Sequence, residues 1–265
     1  MTLYAFYESN GRSEELTKHG IDVLREIEKC EDLVRVIINE MFFVTHENRG
    51  EATELLLNAY KLGAICHDLG KGLASYQTKS VLTKFPGHEI PTAILLDEAL
   101  QRFWEDGNMF NTDRDLNTLV ELVILYPVTR HHYVSRDVKT ARELYEEFKS
   151  ETHPELQQVV EEYRKVFKNY SLWNRFFDYI KDVVREATHT KVHGSQIIVE
   201  MICGRYSGEI VRRVRIVKML NKPMISEKIE ALTGVLNAAD RCVSRRNREG
   251  VESWIGIYYS AYPYV

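Results

Sequence analysis

The chain has 265 residues, 44% of them apolar and 28% charged, with a net charge of −4. That length supplies one large core or two small ones, the balance is that of an ordinary globular protein, and the charge excludes a global basic field for nucleic acid. Cys30, Cys66, Cys203 and Cys242 lie far apart without a CxxC pair. They argue against a zinc ribbon or a disulfide scaffold and suit a reducing cytoplasm. No basic–apolar–small pattern opens the chain, so no signal peptide is expected. No apolar run approaches about 18 residues, so no membrane span is expected. With only 6 prolines and 14 glycines, and long stretches of 3.6-residue period, the expected class is an all-α helical bundle.

Residues 1–12 suit a short strand or arm. The first helix is expected over Ser13–Lys29, with Leu16, Gly20, Val23 and Ile27 as its apolar stripe and His19 sharing that stripe. A histidine there is either a core residue satisfied by a neighbour or a ligand. A second helix covers about residues 32–46 on Val34, Ile37, Ile38 and Met41, with His46 at its polar end. The third, residues 51–66, carries Leu55, Ala59, Leu62 and Cys66 on one face. Gly63 within it marks the close approach of another helix.

That helix runs into Cys66-His67-Asp68-Leu69-Gly70-Lys71, the stretch around which the chain is organised. Gly70 supplies the stop. An inward Asp at a helix C-terminus opposes the macrodipole, and burial of a bare carboxylate costs several kcal/mol. Asp68 therefore needs a cation, either a metal ion or a neighbouring side chain. The bland alternative is a capped helix end with a His–Asp hydrogen bond. The spacing from Gly63 to Gly70-Lys71, with Gly72 where Ser or Thr would stand, is not a phosphate-binding P-loop.

Residues 73–84 read as a short helix or ordered loop, and Phe85-Pro86-Gly87 as a turn. His88-Glu89 opens a helix to about Trp104, with Thr92, Leu95, Ala99 and Phe103 on the stripe that His88 begins. A helix over 115–132 carries Leu116, Leu119, Val120, Val123 and Ile124, should kink at Pro127, and closes in Arg130-His131-His132. Residues 135–190 form two or three amphipathic helices with solvated charge. Residues 191–204 read as an apolar helix, and Arg212-Arg213-Val214-Arg215 as an exposed basic face. The last long helix, about 226–247, turns Ile229, Leu232, Leu236, Ala239 and Val243 inward and places Asp240 on the same stripe. Without a linker, repeat or low-complexity tract, a single domain over 1–265 is expected, with its core at about 13–246 and an aromatic-rich tail over 247–265.

His19, His67, Asp68, His88, His131, His132 and Asp240 are thus polar residues on otherwise apolar faces. Five histidines and two carboxylates suit two adjacent divalent ions. Ligand softness favours Mn, Fe, Co or Ni over Mg. Two such ions would clamp a phosphate and lower the pKa of a bound water. Lys71, three residues after Asp68, is placed for an electrostatic role toward the phosphate. Arg241, Arg245, Arg246 and Arg248 follow Asp240, and Arg130 flanks His131. They would form a basic strip beside the site that tracks a phosphate backbone, or else simply complement a helix dipole.

His67-Asp68-x-Gly70-Lys71, with an upstream helical His19 and with His88, His131-His132 and Asp240 following, resembles the HD phosphohydrolase superfamily. The order and spacing look most like the HD nuclease of type I CRISPR interference. No helicase sequence follows, so the likeness is to the stand-alone nuclease subunit. The resemblance spans residues 13 to about 246. It implies one ion held by His19, His67, Asp68 and Asp240, a second held by Asp68, His88, His131 and His132, and Asp68 as the bridge. It implies metal-dependent hydrolysis of single-stranded DNA, sometimes RNA, by endo- and exonucleolytic cuts. It also implies a separate helicase subunit and a crRNA-guided surveillance complex as partners. Two other readings stand beside it, an HD phosphohydrolase of free nucleotides or cyclic dinucleotides and a non-catalytic assembly module.

Overall fold

Apolar residues at helical spacing account for most of the architecture in the computed structural model, which describes residues 2–8, 11–41, 49–77, 85, 87–107, 114–131, 152–187, 216 and 218–249. The elements are β1 (Tyr4–Tyr7), β2 (Ser13–Glu15), α1 (Leu16–Glu28), α2 (Glu31–Asn39) and α3 (Arg49–Cys66). A 3-10 turn (Leu69–Gly72) and α4 (Ala74–Gln77) follow, then α5 (Glu89–Glu105) and α6 (Arg114–Arg130). The described chain closes with α7 (Leu156–Val166), α8 (Ser171–Ala187) and α9 (Pro223–Glu249). The expected all-α bundle is what is observed, with one small antiparallel hairpin added.

The first helix begins later than its pattern suggests. Ser13–Glu15 pairs with β1 in the register Tyr4↔Glu15, Phe6↔Glu14, Tyr7↔Ser13. Strand alternation then buries Glu14 between two exposed neighbours. A helix would have spread these residues around its circumference. The second helix stops at Asn39 rather than continuing toward 46. His46, His132, the 135–151 stretch, the 191–204 helix, Arg212 to Arg215 and the tail Trp254 to Val265 lie outside the described residues.

The third helix departs from its expected single face. From Leu56 to Cys66 every residue except Asn58 is buried, because α6 covers one side while α1 and α2 cover others. This makes α3 the central post of the bundle. Gly63 permits the α6 approach: a Cβ there would lie 3.0 Å from the Ile124 carbonyl oxygen. α9 packs against α1, α2 and α6, and α5 against α6 and α8. The α9 stripe Ile229, Leu232, Leu236, Ala239 and Val243 is buried as its period predicts. α6 runs on through Pro127 to Arg130. The Tyr163 hydroxyl donates to the Leu16 carbonyl (2.9 Å), tying α7 to the start of α1. No described helix is long and apolar enough to cross a membrane.

Candidate metal centre

Five segments deliver the polar residues to one interior point. α1 brings His19 in its first turns, the end of α3 brings His67 and Asp68, the residue before α5 is His88, and the residue after α6 is His131. α9 adds Asp240 from its inward stripe. His19, His67, Asp68 and His131 are fully buried, and His88 and Asp240 nearly so.

The imidazoles share one orientation. The Nδ1–H groups of His67, His88 and His131 donate to the carbonyls of Ala64, Phe85 and Val128, each three residues earlier and each at 2.7 Å. A carbonyl oxygen has no proton to give, so Nδ1 carries the hydrogen and Nε2 of the neutral ring keeps its lone pair. For His67 and His131 the acceptors are helix-terminal carbonyls that lack an intrahelical partner. His19 reaches the same state differently, with Nδ1 2.7 Å from Glu14 Oε1.

All four Nε2 atoms face Asp68. Its Oδ1 is 2.8 Å from His88 Nε2 and 3.7 Å from His131 Nε2, while Oδ2 is 3.1 Å from His19 Nε2 and 3.5 Å from His67 Nε2. Asp240 Oδ1 lies 3.0 Å from His19 Nε2 and 3.9 Å from His67 Nε2. His19 Nε2, His67 Nε2 and Asp68 Oδ1 make no hydrogen bond among the described residues. Buried polar atoms ordinarily do. Two donor atoms each about 2.1 Å from one ion stand roughly 3.0 Å apart at a right angle and about 3.4 Å apart at the tetrahedral angle, and the separations here run from 2.8 to 3.9 Å. The donors form two groups, His19–His67–Asp68–Asp240 and Asp68–His88–His131, sharing Asp68. The expected ligands that are described therefore meet, and the residues present fit a divalent ion.

The electrostatics point the same way. Burial opposes protonation of His19, but Asp240, Asp68 and Glu14 override it and hold its pKa well above the usual 6.5. His131 is likewise raised against burial, by Asp68. Burial pushes His67 down despite Asp68. Asp68 stays ionised although burial opposes it, held well below the usual carboxylate range by His67, Lys71 and His88. Asp240 is also held down against burial, by His19 and His67. The carboxylates thus favour the protonated form of His19 and His131. A raised histidine stabilises the fold below its unfolded value, and that contribution fades as pH climbs through the raised folded value. An ion competes with protons on these histidines, so its affinity should increase as pH climbs toward their raised values and level off above them. Calorimetric Mn²⁺ titrations in buffers of different protonation enthalpy should show proton release. Affinity independent of pH, with no protons released, would contradict this charge state.

Lys71 Nζ sits 2.5 Å from Asp68 Oδ2 and 5.5 Å from the Phe85 ring centroid. It is therefore paired with the Asp68 carboxylate. The arginine strip is largely engaged elsewhere. Arg246 pairs with Glu26 of α1. Arg248 Nε bonds Glu14 Oε2 at 3.0 Å, and its guanidinium lies 4.5 Å from the centre of the Phe6 ring. Arg130 is 3.4 Å from Glu230 and lies over Tyr126. Arg241 and Arg245 lie on the exposed side of α9.

Nothing in the sequence pattern singles out Glu14, because a helix from Ser13 would continue through it. Glu89 reads in the sequence only as a helix start, yet its Oε2 is 3.8 Å from His88 Nδ1 and it is buried. The signal for Glu14 is strand alternation around it, too short over three residues to register alone. Compared with known proteins, the chain matches no family model, no curated protein and no solved structure.

Proposed function

We propose that this chain is a metal-dependent phosphodiesterase of the HD type that cuts single-stranded nucleic acid, DNA before RNA. The observation that carries the reading is the sharing of Asp68 between two buried groups of inward-facing histidine Nε2 atoms and carboxylates. Such a pair of adjacent donor sets is what a phosphate clamp requires. His19, His67, Asp68 and Asp240 would hold one ion. Asp68, His88 and His131 would hold a second, with His132 as the further ligand that the resemblance implies. Bound divalent ions supply Lewis-acid stabilisation of a phosphate and a water acidic enough to attack near neutral pH. Within the chain, the carbonyls of Ala64, Phe85 and Val128 keep three histidines in the ligand tautomer. Asp68 orients its two oxygens toward both groups. Lys71 keeps a positive charge beside Asp68, positioned to offset charge on a phosphate. Softness of the donor set favours Mn, Co, Ni or Fe over Mg. The motif order supports a place in type I CRISPR interference, with a separate helicase subunit and a crRNA-guided complex presenting the displaced strand, in the cytoplasm.

Protein stripped with chelator should degrade labelled single-stranded DNA only when Mn²⁺, Co²⁺, Ni²⁺ or Mg²⁺ is restored, while leaving free nucleotides intact. Turnover of free or cyclic nucleotides with polymers untouched would replace this reading with the nucleotide-phosphohydrolase alternative. No turnover by metal-loaded protein would favour an assembly module. In the same assay, Arg241→Glu with Arg245→Glu should weaken single-strand affinity and flatten its salt dependence by about two charges' worth of slope. An unchanged slope would remove α9's exposed side from the substrate path.

A further inference from the structure

We infer that Glu14 is the positioning residue that fixes His19 as a metal ligand, so that the N-terminal hairpin sets how tightly the His19–His67–Asp68–Asp240 group holds its ion. The inference rests on the metal-centre reading above.

His67, His88 and His131 take their orientation from main-chain carbonyls three residues back. His19 lacks that device. It sits in the first turns of α1, where the carbonyl three residues back belongs to Leu16 and already accepts the Tyr163 hydroxyl. A side chain does the work instead. Glu14 is buried, and its Oε1 is 2.7 Å from His19 Nδ1. Asn247 Nδ2 donates to that same oxygen at 2.8 Å, and Arg248 Nε donates to Oε2 at 3.0 Å. With three donors converging on it, only an acceptor in every direction fits. A carboxylate is such a group and an amide is not.

The hairpin brings Glu14 to this point and is itself pinned to the site. Phe6 is its cross-strand partner and lies under Arg248. On the neighbouring side, the Tyr4 main chain exchanges hydrogen bonds with the Gln77 side chain (3.1 and 3.0 Å), and the Gln77 amide also donates to the Lys71 carbonyl (2.7 Å). The hairpin therefore bridges the end of α9 and the turn that carries Asp68 and Lys71. Giving the outer N–H of a ligating histidine to a carboxylate fixes the ring and raises its basicity. Loss of such a partner typically weakens metal binding about 10- to 100-fold.

Glu14→Gln keeps the shape but offers one acceptor oxygen to three donors. If its amide nitrogen turns to His19, Nδ1 must accept and the proton moves to Nε2, occupying the ligand lone pair. If it turns to Arg248, two donors meet head on. The full chain, stripped and then titrated with Mn²⁺ at one fixed pH, should bind about 10- to 100-fold more weakly in Glu14→Gln. Arg248→Gln keeps the Glu14–His19 contact and should stay within about threefold of wild type, well short of that loss. Equal affinity of Glu14→Gln and wild type overturns the inference. An equal loss in both variants also overturns it, by assigning the effect to hairpin packing on α9. Should Glu14→Gln not fold, the zinc-loaded wild-type protein decides. Long-range ¹H–¹⁵N correlation should show the His19 ring protonated at Nδ1, and protonation at Nε2 is the overturning result. A wild-type chain that binds no divalent ion fails the metal-centre reading itself, an outcome distinct from equal binding by wild type and variant.

Discussion

Asp68→Ala should lower metal-restored hydrolysis at least about a thousandfold, beyond the effect of removing one isolated electrostatic contact. The side chain faces both donor groups: Oδ1 looks toward His88 and His131, and Oδ2 toward His19 and His67. No other described residue belongs to both groups. Its loss therefore removes a ligand from each, along with the negative charge that a pair of cations needs between them. Truncation also leaves Lys71 buried without its acceptor. Breaking a buried pair by removing one partner costs about 3–5 kcal/mol. Asp68→Asn keeps the volume and an acceptor oxygen toward Lys71 but removes the charge and one of the two ligand oxygens, so loss of activity in that variant is separated from the unpairing of Lys71. Hydrolysis, Mn²⁺ binding and circular dichroism should be measured together on both variants. Full activity in a folded, metal-replete Asp68→Ala protein would sink the mechanism.

Gly70→Ala should destabilise the fold by about 3 kcal/mol or more and displace His88. A Cβ at position 70 would stand 2.1 Å from the His88 carbonyl oxygen, 2.7 Å from Pro91 Cγ and 2.9 Å from Thr92 Oγ1. The nearest of these is backbone, which cannot swing aside as a long side chain does. The Gly70 N–H also donates to Thr92 Oγ1 (2.7 Å), whose hydroxyl in turn donates to the His88 carbonyl (2.9 Å). The glycine in the motif is thus where the turn carrying Asp68 meets the start of α5. Opening that contact moves a ligand of one group away from the aspartate it shares with the other. Denaturant midpoints of metal-free protein would show the loss, and Mn²⁺ titration would show weakened binding. An unchanged midpoint would mean that the turn and α5 are not in contact as described.

The candidate metal-centre residues were legible because they break a pattern. His19, His67, His88 and Asp240 are polar groups at positions where the 3.6-residue period calls for apolar ones, and burial confirms each of those faces. Gly63 was legible for a related reason, since a glycine inside an apolar helix has few explanations other than close approach. The α1 boundary was not. Ser13 and Glu14 are compatible with a helix start, and only pairing with Tyr4–Tyr7, an element separated by a turn, converts them to strand. The arginines were misleading for a similar reason. Their clustering after Asp240 is plain in the sequence, but where Arg246 and Arg248 point depends on Glu26 and Glu14, more than two hundred residues earlier in the chain.

The sequence by itself determined the helical class, the inward stripes and the identity of the candidate ligands, because these depend on periodicity within a few turns and on side-chain chemistry. Tertiary structure alone decided which oxygen of Asp68 faces which histidine, that α3 is enclosed on nearly all sides, and that Glu14 holds His19. Each of those depends on the direction of a side chain relative to a partner remote in sequence, and local spacing does not encode such directions.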